Sequence, residues 1–217
     1  MIEFCFDFVS PYSYLAWTQV LALGKRVGHE VRLKPVLFGA ILSALGTKGP
    51  AEVPAKRVYV LKDVLRLGSR AGITVTVPPA HPFNPLIALR VAGLPILSEE
   101  ERVRVVDALF TAPWGRGEAI DTADAVAGVL GRAGIDAAPL LVQAATPEGK
   151  DRLRRNTDEA LARGAFGVPT MFVGDEMFFG FDSFRELEAY ARGEDLLAPH
   201  GEVLQRWLDL PAAAVRK

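Results

Sequence analysis

The sequence contains a single cysteine, Cys5, and only three histidines, His29, His81 and His200. With one cysteine, the chain cannot form an internal disulfide or carry out chemistry that needs a pair of thiols. The histidines are scattered and have no metal-ligand spacing, so we expect no bound metal. Cys5 itself falls in an apolar stretch, where a buried and unreactive thiol is expected.

Excess charge and long apolar runs are also missing. The 217 residues include 25 basic and 26 acidic side chains, which give a formal net charge of −1. This balance gives no electrostatic basis for binding nucleic acid or an anionic membrane. No apolar run reaches transmembrane length. The apolar stretch at the N-terminus is not preceded by basic residues, and Glu3 and Asp7 interrupt it, so we expect no signal peptide. We therefore expect a cytoplasmic protein with no nucleic-acid or membrane partner.

The most informative stretch is Ser10-Pro11-Tyr12-Ser13, which joins a predicted buried strand at residues 2–9 to a predicted helix. Pro11 suits the first helical position, because its missing N–H would have no partner there. Ser10 is then a natural N-cap, close to free backbone N–H groups that favour an anion. Its hydroxyl either caps the helix only or also helps to bind a negatively charged atom.

Beyond this helix, the pattern divides the chain into three parts. Residues 30–38 predict a second strand, which completes a βαβ unit with parallel strands. Residues 38–54 are rich in glycine and proline and predict a loop. From residue 55 to residue 163 almost all signals are helical, and Val58, Leu61 and Leu65 share one helix face.

The last part returns to β structure. Residues 170–173 and 176–179 predict a hairpin turned by Gly174-Asp175. Asp182 or Ser183 then caps a helix. A βαβ unit, a helical block, a hairpin and a helix together predict an α/β thioredoxin-like fold (βαβ…ββα) with a large all-helical insertion of the DsbA/kappa type.

Two segments carry a specific resemblance. Residues 8–15 resemble the opening of the DsbA-like thioredoxin superfamily, whose redox members have cysteines where this chain has Ser10 and Ser13. The Ser-Pro-Tyr-Ser motif resembles the kappa-class glutathione transferases and the related 2-hydroxychromene-2-carboxylate isomerases. Residues 166–182, which begin Phe-Gly-Val-Pro-Thr, are most similar to the isomerase branch.

The resemblance implies an organisation into two domains. Residues 1–42 and 158–217 would form a discontinuous thioredoxin-like domain, and residues 43–157 would form the helical insertion domain. It also implies a homodimer that takes part in aromatic compound degradation.

Glutathione is the cofactor that the resemblance implies, and the implied contacts begin at Ser10, whose hydroxyl would donate to the cofactor sulfur. Pro169 would be a cis-proline, which leaves the backbone of Val168 able to pair with the extended peptide. From the residues alone, Pro169 could equally mark a plain turn before a strand.

Three further positions complete the implied glutathione site. Asp182 would bind the α-amino group, beside Phe181, where relatives often carry a polar residue. Lys56 would bind the glycyl carboxylate, and Thr47 replaces an asparagine of the family motif, so it can supply only part of an amide's hydrogen bonding. From the residues alone, Asp182 could be an ordinary N-cap and Lys56 a solvated surface charge.

An aromatic carboxylate substrate would lie beside glutathione. Tyr12 and Trp114 are candidates for the wall of its site, and Asn84 is a candidate for a polar contact. Trp114 could instead belong to the core of the insertion.

Three functions remain open at this point. The first is a glutathione-dependent isomerase, which converts 2-hydroxychromene-2-carboxylate to trans-o-hydroxybenzylidenepyruvate by reversible thiolate addition. The second is a kappa-like glutathione transferase, which would consume glutathione. The third is a non-catalytic thioredoxin-like binding module, which would bind peptides or a partner protein.

Overall fold

The structure, a computed structural model, describes residues 1–211. In chain order, the strands and α-helices are β1 (Ile2–Phe6), α1 (Pro11–Val27), β2 (Val31–Pro35), α2 (Phe38–Ala44), α3 (Pro54–Ala71), α4 (Leu86–Ala92), α5 (Glu99–Gly115), α6 (Ala123–Arg132), α7 (Ala137–Ala145), α8 (Pro147–Ala162), β3 (Thr170–Val173), β4 (Glu176–Phe179), α9 (Phe184–Ala191) and α10 (Gly201–Leu208). The end of the predicted thioredoxin-like domain, residues 212–217, lies outside the described residues. None of the helices within residues 1–211 is both long and apolar enough to cross a membrane.

One mixed sheet, in the order β2-β1-β3-β4, organises the fold. Strand β1 pairs parallel to β2 and antiparallel to β3, and β3 pairs antiparallel to β4. The predicted βαβ unit is confirmed, and so is the hairpin, since Val173 faces Glu176 across Gly174-Asp175. The helical block α3–α8 is inserted between β2 and β3, which confirms the predicted βαβ…ββα order.

The two faces of the sheet are buried against different helices. Alternate residues of β1, among them Phe4 and Phe6, belong to the main core on the side of α1 and α5. Cys5 points to the other face and packs in a smaller cluster with Ile41 and Phe172. The predicted burial of Cys5 is confirmed, since it is 1 % exposed.

Phe110 of α5 is the centre of the main core. Its ring lies 4.7 Å from Phe8, 5.4 Å from Phe6 and 6.2 Å from Trp17, measured between ring centroids. The side chain is fully buried. Because Phe110 belongs to the helical block, Phe6 to β1 and Trp17 to α1, this aromatic cluster joins the inserted helices to the sheet.

The loop predicted for residues 38–54 is wrong in part, because it contains helix α2 and a 3-10 turn at Pro50–Glu52. No side chain at the start of α2 caps it. Instead, the N–H of Phe38 donates to Asp7 Oδ2 at 2.9 Å and the N–H of Leu37 donates to Thr157 Oγ1 at 3.0 Å. Caps that come from distant segments leave no local signal in the sequence.

The packed face of α3 is not the one that carries Val58, Leu61 and Leu65. These three residues share one face of the helix, as predicted, but they are 54 %, 41 % and 50 % exposed. The buried positions are Val64 and Gly68. Several exposed residues of α3, Leu61 among them, line a large cavity instead.

Candidate active site

A cavity of about 1230 Å³ opens beside the start of α1. Its lining is mostly apolar and includes all but one of the residues that the sequence analysis nominated: Ser10, Tyr12, Thr47, Lys56, Trp114, Val168, Pro169, Phe181 and Asp182. The exception is Asn84. Its Oδ1 accepts a hydrogen bond from the N–H of Leu86 at 3.1 Å, at the start of α4, and it does not line the cavity.

Ser10 caps α1, as predicted, and also reaches a distant segment. Its Oγ accepts from the N–H of Ser13 at 3.1 Å and donates to the carbonyl of Val168 at 3.4 Å. The Val168–Pro169 peptide bond is cis. Because 3.4 Å is long for an O–H···O hydrogen bond, the hydroxyl can turn its proton toward a better acceptor in the cavity at little cost.

Three side chains fix the backbone of the loop that carries Ser10. The Val9 N–H donates to Asp7 Oδ1 at 3.0 Å, and His81 Nε2 lies 3.0 Å from the Val9 carbonyl. Trp114 Nε1 donates to the Phe8 carbonyl at 2.8 Å. Trp114 is 3 % exposed and belongs to the core, but it also lines the cavity. Trp114 therefore belongs to the core, and its place on the cavity wall is compatible with the predicted substrate contact.

His81 has a defined protonation state in this arrangement. A carbonyl can only accept, so Nε2 carries the proton and Nδ1 is bare. Burial lowers the pKa of the imidazole, and the nearby charge of Arg57 lowers it further, against the opposing hydrogen bond to Val9. The ring is therefore neutral near pH 7. Sequence analysis assigned no contact to His81, because its contacts join segments 72 residues apart.

Asp7 is a buried carboxylate that sequence analysis also missed. It is fully buried and accepts the N–H groups of Val9 and Phe38, one on each oxygen. Burial raises the pKa of this carboxyl to about 7, although both hydrogen bonds act to lower it. Asp7 thus ties the Ser10 loop to the start of α2, and a charged residue within an apolar strand was the signal that could have revealed it.

Replacing Asp7 with asparagine is expected to change how stability depends on pH. The folded pKa of about 7 lies above the ordinary value of 3.8, so the folded state holds the proton more tightly. The wild type therefore loses stability as the pH rises through this interval. Asparagine does not titrate, so the free energy of unfolding of the wild type minus that of the variant should fall by about 3 kcal/mol between about pH 5 and pH 8. Urea unfolding at several pH values measures this difference, and a constant difference would contradict the raised pKa.

Tyr12 is held at the cavity wall by Asp63, a residue that sequence analysis also missed. Its hydroxyl donates to Asp63 Oδ2, from α3, at 2.9 Å. Burial raises the pKa of Tyr12, and the hydrogen bond to Asp63 and the charge of Asp182 raise it further. Tyr12 therefore stays a neutral phenol and presents its ring to the cavity.

Asp182 owes its position to an unusual backbone conformation. Gly180 has φ 88 and ψ 160, a region open essentially to glycine alone. A Cβ there would lie 2.5 Å from Asp182 Oδ1. Of the two predicted caps, Ser183 occupies the N-cap position of α9, but its side chain makes no capping hydrogen bond and its hydroxyl donates to the Gly180 carbonyl at 2.9 Å. The Asp182 carboxylate lines the cavity instead.

The cavity wall also carries several cations that have no carboxylate partner in residues 1–211. These are Lys48, Lys56 and Arg57. Asp182 likewise forms no ion pair with any described residue. Over the same residues, no three His, Cys, Asp or Glu side chains lie close enough together to hold a metal ion. The available charges therefore suit an organic ligand that carries both carboxylates and an ammonium group.

A family model described as "DSBA-like thioredoxin domain" matches residues 1–191. The chain belongs to the DSBA-like thioredoxin family. This result confirms the fold predicted from the order of the elements, and in this family member serines stand at positions 10 and 13.

Within the DSBA-like family, the chain is similar to two kinds of characterised protein. It is 31% identical over 193 residues to 2-hydroxychromene-2-carboxylate isomerase of Sphingobium xenophagum. The matched region covers 87% of this chain and 96% of that protein. It is 29% identical over 212 residues to glutathione S-transferase kappa 1 of Rattus norvegicus. That match covers 92% of this chain and 93% of the relative.

A solved structure gives the same result. The structure of selenomethionine 2-hydroxychromene-2-carboxylate isomerase superposes with a TM-score of 0.78 at 27% identity and covers 97% of this chain and 99% of that one. The resemblance predicted from the Ser10 motif and from residues 166–182 is therefore confirmed at the level of the family.

Proposed function

We propose that this protein is a glutathione-dependent isomerase that acts on a 2-hydroxychromene-2-carboxylate-type substrate to give trans-o-hydroxybenzylidenepyruvate. The observation that carries the proposal is the placement of the Ser10 hydroxyl. It lies at the N-terminus of a long helix, within hydrogen-bonding distance of Val168, on the wall of a large cavity. The names of the relatives supply the reaction and the cofactor.

The start of α1 suits an anionic sulfur. Pro11 and the Ser10 cap begin the helix, so its partial positive charge is directed at the cavity beside Ser10. The Ser10 hydroxyl can exchange its long bond to Val168 for a shorter one to a ligand. Both effects favour a thiolate over a thiol. Glutathione, when bound, supplies a thiolate that adds reversibly to the conjugated substrate.

The remaining lining residues fit the rest of glutathione. The N–H of Val168 has no acceptor within residues 1–211 and can pair with an extended peptide. The Asp182 carboxylate would bind the α-ammonium group beside Phe181, and Lys56 would bind the glycyl carboxylate. Thr47 would add a single hydroxyl contact.

The cavity has room for a second ligand. Its volume of about 1230 Å³ exceeds the range of roughly 300–1,000 Å³ that is usual for a single small molecule. The ring of Tyr12, held neutral, and the indole of Trp114 form apolar walls for an aromatic group. A cavity this deep also favours catalysis over a module that only binds peptides. The homodimer and the two-domain division remain predictions.

A kappa-like transferase is the second candidate, because Lys56, which matches a lysine of that class, does line the cavity. Product analysis separates the two functions. The protein is incubated with 2-hydroxychromene-2-carboxylate and glutathione, and both compounds are followed by NMR. The isomerase is expected to form the benzylidenepyruvate only when glutathione is present, with no net loss of glutathione. Loss of one glutathione for each substrate converted would establish the transferase, and conversion without glutathione would contradict both.

A further inference from the structure

Arg57 is a charged residue of the cavity wall that the proposed glutathione site does not use. It follows Lys56 on α3, it is exposed, and it forms no ion pair with any residue in the described part of the chain. Consecutive helical residues point about 100° apart. Lys56 and Arg57 therefore leave the helix in different directions, although both line the cavity.

Arg57 lines the same cavity as an aromatic wall made of His81, Phe83 and Trp114. Its charge also lowers the pKa of the His81 imidazole. The ring of His81 packs edge-on against Trp114, with 5.5 Å between ring centroids, and Phe83 lies 6.2 Å from Trp114 on the same measure. All of these residues line the cavity. A guanidinium group and the aromatic wall thus face the same cavity, in which a flat ligand would pack.

The second ligand carries a carboxylate that Arg57 can bind. Glutathione carries two carboxylates, of which one is assigned above to Lys56 and the other lies beside the ammonium group assigned to Asp182. The second ligand brings a further carboxylate. A guanidinium group binds a carboxylate through two parallel hydrogen bonds and fixes its orientation as well as its charge.

The geometry points to Arg57 as the residue that binds the carboxylate of the second ligand, a flat aromatic or conjugated carboxylate that packs against Trp114 and Phe83. This assignment rests on the proposed function for the identity of the first ligand, but the pairing of Arg57 with an aryl carboxylate can be measured by itself. Arg57 is then the source of the preference for acids over neutral compounds of the same shape.

Calorimetric titration with trans-cinnamate and with its neutral analogue trans-cinnamamide tests the assignment, with and without saturating glutathione. The wild type is expected to bind cinnamate about tenfold more tightly than cinnamamide. Arg57→Gln should abolish this difference. Arg66→Gln, which removes an exposed arginine of the same helix that does not line the cavity, should retain it. Lys56→Gln should weaken glutathione binding and also retain the difference.

The outcomes separate this inference from the proposed function. Equal binding of the acid and the amide by the wild type, no binding of either, or an unchanged difference in Arg57→Gln would each overturn the role of Arg57. Weaker binding of glutathione by Arg57→Gln, with the cinnamate preference intact, would overturn it too and would place Arg57 in the glutathione site. Failure of glutathione to bind the wild type would remove the proposed function, while a cinnamate preference that depends on Arg57 would still stand.

Discussion

Ser10→Ala is expected to lower isomerase turnover about 100-fold, the usual effect of removing one donor that stabilises a developing or bound anion. The variant loses the Ser10 hydroxyl, the side-chain donor at the start of α1 that reaches Val168. Without that hydrogen bond, the pKa of bound glutathione should rise toward the value of about 8.5 of a free thiol. Steady-state kinetics across pH measures both effects, since the loss of rate should be largest at low pH.

Ser13→Ala is the matched control for this substitution. Ser13 lies one turn further along α1, is fully buried, and its Oγ has no hydrogen-bond partner in the described residues. Its removal should leave turnover unchanged and should not reduce stability, because an unpaired buried hydroxyl stabilises nothing. Equal turnover in Ser10→Ala and wild type would remove Ser10 from the mechanism.

Phe110→Ala is expected to lower the free energy of unfolding by about 3–5 kcal/mol. The ring is fully buried and contacts aromatic residues of both β1 and α1. Truncation removes these contacts and leaves a cavity that rigid neighbours cannot fill. Since whole domains are stable by only about 5–15 kcal/mol, this one change removes a large share of the total. Urea unfolding followed by tryptophan fluorescence measures the loss.

Trp207→Ala serves as the control for Phe110→Ala. Trp207 is a larger aromatic residue, but it is 71 % exposed on α10, so its removal should change stability by less than about 0.5 kcal/mol. Phe110→Leu, which keeps much of the volume, should lose less than Phe110→Ala. A loss below about 1 kcal/mol for Phe110→Ala would show that the aromatic cluster does not hold the inserted helices against the sheet.

Elements with local signals could be predicted from the sequence. The capping box at Ser98 and Glu101 is one such element, and the Thr146 cap before Pro147 is another. The hairpin could also be predicted, because its turn needs a residue that tolerates a positive φ. Gly174 is that residue, with a φ of 60. Helix α2 lacked such a signal, since its first N–H groups are satisfied by Asp7 and Thr157 from other elements.

The candidate site likewise contains residues that the sequence could identify and residues that it could not. The Ser10 cap followed from its local motif, and Lys56 and Asp182 came from the family resemblance. His81 and Asp63 support the site through contacts that span 72 and 51 residues. Only the folded chain brings such pairs together, so no local sequence pattern could have predicted these contacts.

The central claim, a glutathione thiolate stabilised by Ser10, is tested most directly by an ultraviolet difference titration of the protein with glutathione across pH. Burial raises the pKa of Cys5, the one cysteine of the chain, to about 12, so the protein itself adds no thiolate absorbance near neutral pH. The expected result is saturable binding, with a thiolate band in the wild type that persists well below about pH 8 and is lost in Ser10→Ala. Bound glutathione that stays a thiol in the wild type, or no binding at all, would contradict the claim.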